Sequence, residues 1–157
     1  MIGELNSGEI EELISNHFIG RIGCYADEVI YVVPVSYAYD GTYIYGRSFE
    51  GMKIEMMRKN PKVCFEADNT LNRANWQSVI AWGEFEEIKD ADERAKALQK
   101  LQDRVLPVIS SETMHITPQW PFSSGDMNSI EGIIYRIRLT KKTGRFEKSA
   151  DEFFFAS

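Results

Sequence analysis

Residues 29–47 read VIYVVPVSYAYDGTYIYGR, and this run constrains the fold more than any other part of the chain. Its β-branched and aromatic side chains suit a pleated surface and lose rotamer freedom in a helix. Asp40-Gly41 supplies a tight reversal between two alternating runs. Two strands therefore follow one another as a hairpin, over 29–39 and 42–47. Both alternating sets of the first strand are largely apolar, which predicts cover on both of its faces. Pro34 has no amide hydrogen to give a ladder, so it marks an edge, a bulge, or a point where a ligand meets backbone.

The remaining elements assemble around that hairpin. Asn6 and Glu9 have capping-box spacing and open a helix over 7–16, with Ile10, Leu13 and Ile14 on one face. Segments 17–27, 62–68, 76–88 and 129–148 have strand character, which brings the strand count to six. Ser48 is positioned to cap a helix that runs to Lys59 and stops at Asn60-Pro61. Asp90 opens a further helix with an apolar stripe through Leu98 and Leu101. Residues 107–128 hold three prolines and two serine pairs and read as loop. Hairpin-joined strands with few helices between them predict a mainly β (α+β) chain. The architecture is an antiparallel barrel with flanking helices, in one domain over 1–157.

The chain's formal net charge of −6 argues against nucleic acid, whose phosphates need a basic face. No apolar run approaches the ~20 residues of a membrane span. The opening MIGELNSGEIEEL is acidic and lacks a secretory pattern, so a cytoplasmic location is expected. Cys24 and Cys64 have no CxxC partner and read as reduced thiols. His17 and His115 have no metal-ligand spacing, and no metal site is expected.

The turn YGRSFEGMK, residues 45–53, gathers unusual chemistry for an acidic chain. A helix start offers unpaired amides and partial positive charge. Ser48 adds a hydroxyl, while Arg47 and Lys53 add cations. Gly46 and Gly51 allow close backbone approach. These residues admit two readings: a phosphate cradle, or a serine cap flanked by two solvated cations. Val33, Pro34 and Val35 offer a proline-broken backbone, and WQSV (76–79) sets Trp76 and Ser78 at the head of a strand. A flat ring with a polar edge needs such groups; taken one at a time, an edge-strand proline and a core tryptophan are the simpler accounts. No catalytic acid, base or nucleophile stands out.

Taken in order, PVSYAYDGTYIYG, EGMK, NPKVCFE and SVIAWGE resemble the flavin-binding split barrel of the pyridoxamine 5′-phosphate oxidase family. The branch they most resemble is that of the small nitroimidazole-resistance flavin proteins. The likeness covers 17–88 well and the C-terminal strand loosely. It implies a six-stranded split barrel and a homodimer with FMN at the interface. It also implies that Val33, Pro34 and Val35 contact the ring, beside Tyr45. Gly46, Arg47, Ser48 and Lys53 would hold the phosphate, Ser78 would lend a polar side chain, and Trp120 would lie near the ring. The chain departs from the vitamin B6 oxidases, which are longer and end in an arginine and tryptophan pattern; this one closes on GRFEKSADEFFFAS.

The expected function is flavin-mediated reduction of a small molecule such as a nitro-aromatic or quinone, with reduced nicotinamide as donor. Two alternatives stand beside it. One is a non-enzymatic flavin carrier or sensor. The other is a haem-binding split barrel with His17 or His115 as axial ligand. The phenylalanines of the EFFFAS tail suit contact with a partner subunit.

Overall fold

The computed structural model describes residues 1–109 and 131–149, with the side chains of 105–109 left aside. Eight strand segments and three helices occur in this order: β1 (Ile2–Glu4), α1 (Ser7–Asn16), β2 (Ile19–Ala26), β3 (Val29–Ser36), β4 (Ala38–Tyr39), β5 (Tyr43–Ser48), α2 (Met52–Lys59), β6 (Lys62–Asn72), β7 (Asn75–Glu87), α3 (Ala91–Ile109) and β8 (Ile133–Glu147). The sheet runs β3-β2-β6-β7-β8-β5-β4, with β1 paired to β8. Every pairing is antiparallel.

The two ends of that order, β3 and β4, are separated in sequence only by Tyr37. The sheet therefore curls until one interrupted strand closes it on both sides. Along β3 the strand pairs with β2, whereas along β4 it pairs with β5. The barrel is closed at the β4 end and split at the other, where β3 and β5 run close without pairing. Tyr37 fixes the switch. It is buried, its amide donates to the Phe18 carbonyl, and its hydroxyl donates to the Ile14 carbonyl at 2.6 Å. Its ring meets Phe65 edge-on, with centroids 4.8 Å apart.

Two of the strand expectations change. Six strands become eight segments because Tyr37 cuts the 29–39 strand in two and the N-terminus adds β1. The faces of β3 are not both covered: Ile30 is 78% exposed and Val32 64%. The reason is that, among the described residues, no layer covers the outward face of this part of the sheet, which leaves Ile80 and Trp82 of central β7 exposed as well. Pro34 sits on this edge strand, where its missing amide hydrogen is tolerated.

Inside the barrel, Ile22, Phe65, Val79, Ala81, Tyr135 and Ile137 form the main core with Ile14 of α1 and Met57 of α2. A second cluster lies outside the barrel wall, where α3 lays Ala97, Leu98 and Leu101 on Tyr45 and Ile134. Two of the three expected caps form: Asn6 and Glu9 exchange hydrogen bonds, and Asp90 accepts from the Glu93 amide at 3.0 Å.

Candidate functional site

The split leaves two lips. One is the free edge of β3 at Val33, Pro34 and Val35. Val35 is buried and Val33 packs on the core, so at these two positions the lip offers backbone rather than side chain. The other lip is the passage from β5 into α2. Extending the Ala38↔Tyr45 register brings Ser36 and Val35 opposite Arg47 and Ser48 across the gap. The strand bearing Val33, Pro34 and Val35 and the β5–α2 turn are thus brought face to face by the barrel's incomplete closure.

The turn differs from the expected cap. Gly51, not Ser48, is the N-cap of α2, and no side chain bonds into the helix start. Ser48 Oγ donates to the Phe49 carbonyl at 2.9 Å instead. Three residues intervene between β5 and α2, which puts the serine too far back to cap. The first-turn amides of α2 have no partner within the helix, and Gly51 has open space around its Cα. This is where an anion is best received.

Lys53 lies in that first turn. It is half-buried, and its ammonium sits 5.8 Å from the centre of the Tyr135 ring. Burial lowers its pKa, and the nearby Cys24 partly offsets this. Among the described residues it has no carboxylate partner. A half-desolvated ammonium facing only a ring and a thiol gains strongly from an anion.

Arg47 belongs to the other face of β5. Its Nε donates to the Glu131 carbonyl at 2.7 Å, and its guanidinium lies 4.9 Å from the Phe49 ring. Burial lowers its pKa, and the neighbouring Arg94 lowers it further. Arg94 of α3 is therefore a second cation near the turn, and it escaped the sequence reading. Nothing in a helix 41 residues downstream of Lys53 advertises that α3 packs behind β5, so only the fold could reveal it.

The other candidates separate. A Cβ on Gly46 would stand 2.3 Å from the Tyr135 hydroxyl, so this glycine makes room for Tyr135. Tyr45 is built into the α3 contact, donating to Asp40 at 2.8 Å with Lys100 over its ring. Ser78 is remote. It pairs with Arg145 on β8, whereas Ser48 pairs with Ile133 at the opposite end of that strand. Trp120 and His115 lie outside the described residues. His17 ends α1, with Nδ1 2.8 Å from the Leu13 carbonyl. Among the described residues no group of three His, Cys, Asp or Glu side chains is arranged to hold a metal. No helix among them is long and apolar enough to cross a membrane.

A sequence model of the family described as pyridoxamine 5′-phosphate oxidase matches residues 6–146. The solved structure of an FAD-binding protein from Mesorhizobium loti is 30% identical, with a TM-score of 0.71 over 94% of this chain and 99% of that one. A Bacteroides thetaiotaomicron structure assigned to 5-nitroimidazole antibiotic resistance is 21% identical, with a TM-score of 0.70 over 93% of this chain and 87% of that one, a likeness of fold. An uncharacterized Rhizobium meliloti (strain 1021) protein is 32% identical over 80 residues; the match takes in 51% of this chain and 53% of that protein, about half its length.

Proposed function

Because this chain belongs to the pyridoxamine 5′-phosphate oxidase family, we propose that it binds FMN across the split of its barrel and reduces a small molecule with it. One observation carries the reading: Lys53 is half-buried, without a carboxylate among the described residues, at the uncapped start of α2. A phosphate monoester suits this pairing of ammonium and open amides. The flavin class has the support of the FAD-binding relative from Mesorhizobium loti. FMN is favoured over FAD because its phosphate is a terminal monoester, the group that Lys53 and the open amides of the α2 start suit.

Each residue then has a task. Lys53, the Ser48 hydroxyl and the first-turn amides of α2 hold the phosphate, and Arg47 adds positive potential from the α3 side. The backbone of Val33, Pro34 and Val35 meets the polar edge of the ring. Ser78 cannot reach this turn from its own chain, so a second copy supplies it and the site is completed in a homodimer. When bound, the flavin supplies two-electron chemistry between a reduced nicotinamide and an acceptor such as a nitro-aromatic or quinone. The protein's part is to bind, orient and exclude water; no side chain is assigned a proton transfer.

The test is to release and identify what the purified protein carries. FMN in the heat-denatured supernatant, with oxidation of reduced nicotinamide dependent on a nitro-aromatic, supports the reading. FAD there would move the cradle's boundary, and bound flavin without turnover would make the protein a carrier. A colourless protein that takes up no flavin on titration would overturn it.

A further inference from the structure

The flavin reading gives no task to one polar group of the barrel interior. Tyr135 lies on β8 directly opposite Gly46 of β5. It belongs to the core with Phe65 and Ile137, and 1% of its surface is exposed. Its ring crosses Gly46, where an added Cβ would stand 2.3 Å from the hydroxyl oxygen and 2.4 Å from the carbon that bears it. Gly46 is also the first residue of β5 beyond the pairing with β4, which ends at Ala38↔Tyr45. The hydroxyl therefore ends where the split begins.

Among the described residues no donor or acceptor meets that hydroxyl. The other two buried tyrosines among them differ: Tyr37 donates to the Ile14 carbonyl at 2.6 Å and Tyr45 to Asp40 at 2.8 Å. Burial raises the Tyr135 pKa with no hydrogen bond and no charge beside it, so the group keeps its proton and remains a donor. Every described polar side-chain atom that is sealed from solvent has a partner. The Tyr135 oxygen has none, so it is not sealed and fronts open space at the split. A hydroxyl held this way weakens the fold, and phenylalanine would fill the same core volume without that penalty. A second donor stands over the same ring. The Lys53 ammonium is 5.8 Å from its centre and has no carboxylate partner among the described residues. The Cys24 thiol near it is turned to the Tyr31 carbonyl, 3.6 Å away. Two donors thus gather at one ring with no acceptor to match them.

We propose that the Tyr135 hydroxyl is a binding group of the flavin site: it donates to a phosphate oxygen of FMN from inside the barrel, while Lys53 holds the same phosphate from α2. The proposal rests on the flavin reading above and adds a residue from β8, a strand to which that reading gives no contact. A phosphate monoester is the acceptor that these two donors lack, since its oxygens take several hydrogen bonds and its charge meets the ammonium. A neutral hydroxyl of a ligand would satisfy the tyrosine and leave the ammonium uncompensated. Gly46 then has a second consequence, because a side chain there would close the hydroxyl's approach to the split. The flavin-free protein carries a hydroxyl that only the ligand matches, so one oxygen lowers stability and raises affinity.

Tyr135→Phe tests this, because it removes the oxygen and keeps the ring that packs on Phe85, with centroids 5.7 Å apart. Flavin-free native and variant proteins are compared by urea denaturation, then titrated with FMN and with riboflavin by fluorescence quenching. The variant is expected to unfold at the same or a higher urea concentration, to bind FMN ~10-fold or more weakly, and to bind riboflavin as the native protein does. A lower midpoint would make the hydroxyl a structural group and overturn the proposal. So would FMN and riboflavin weakened alike, the result expected of a hydroxyl that serves only packing or water. Native protein that takes up no flavin sinks the flavin reading and this assignment together. Native protein that binds FMN no better than the variant sinks the assignment alone.

Discussion

Replacing Lys53 with methionine removes the ammonium and keeps most of the stem that packs against Tyr135. In the flavin-free protein the ammonium faces a ring 5.8 Å away and a thiol, and burial depresses its pKa. The fold therefore gains little from its charge, and Lys53→Met should leave the denaturation midpoint unchanged or slightly raised. Flavin binding should respond differently. A charge-assisted hydrogen bond to a phosphate oxygen is worth about 1.5–3 kcal/mol. That corresponds to an FMN Kd weakened ~10-fold to ~150-fold. Riboflavin has no phosphate and should bind the variant almost as it binds the native protein. Flavin fluorescence quenching with both ligands, beside urea denaturation of both proteins, reads all of this. Equal weakening of FMN and riboflavin would remove the phosphate from the α2 start. A fall in stability matching the loss of affinity would show the lysine to be structural.

Three further outcomes follow from the same geometry. Arg47→Ala should weaken FMN less than Lys53→Met does, by titration calorimetry, because the Arg47 guanidinium is already engaged by Glu131 and Phe49. Gly46→Ala drives a methyl into Tyr135 and should cost about 1–3 kcal/mol in chemical denaturation. Asp40 accepts from the Thr42 and Tyr43 amides and the Tyr45 hydroxyl, so Asp40→Ala should cost about 2 kcal/mol near neutral pH. Burial alone would raise the Asp40 pKa; these hydrogen bonds and Lys100 outweigh it and hold the pKa below the usual range. A depressed carboxylate stabilises above its unfolded pKa and loses that contribution as pH falls through its folded one. The gap between native protein and Asp40→Ala should therefore narrow on acidification; a gap that widens would contradict the assignment.

The elements were legible because their signals are local. Asn6 with Glu9 reports a helix start, Asp40-Gly41 a hairpin, and the VIYVVPV run a strand, each through steric and hydrogen-bonding rules that span a few residues. Pro34 left open an edge, a bulge or a ligand contact, and an edge strand is where it lies. The turn at 45–53 was legible as a place of cations and open backbone. Its internal arrangement was not, because whether Ser48 caps α2 depends on where the helix begins, and a shift of three residues decides it. Tyr45 and Gly46 looked like site residues by adjacency alone. Alternation along β5 sends Tyr45 to the α3 contact, and Gly46 is glycine because Tyr135 fills the space beside it.

The sequence by itself determined a β-rich chain with three helices, the positions of its hairpins, and the chemical character of the β5–α2 turn, since all of these rest on short-range preference. Only the tertiary structure decided that one strand, interrupted at Tyr37, closes the sheet at one end and leaves it split at the other. That closure is a long-range pairing choice, made by which edges can satisfy their backbone hydrogen bonds while burying Phe65, Tyr135 and Ile137. It sets Ser36 and Val35 opposite Arg47 and Ser48, brings Arg94 near the turn, and sends Ser78 to the far end of the sheet. No local rule encodes these distances; they follow from how the whole sheet wraps its core.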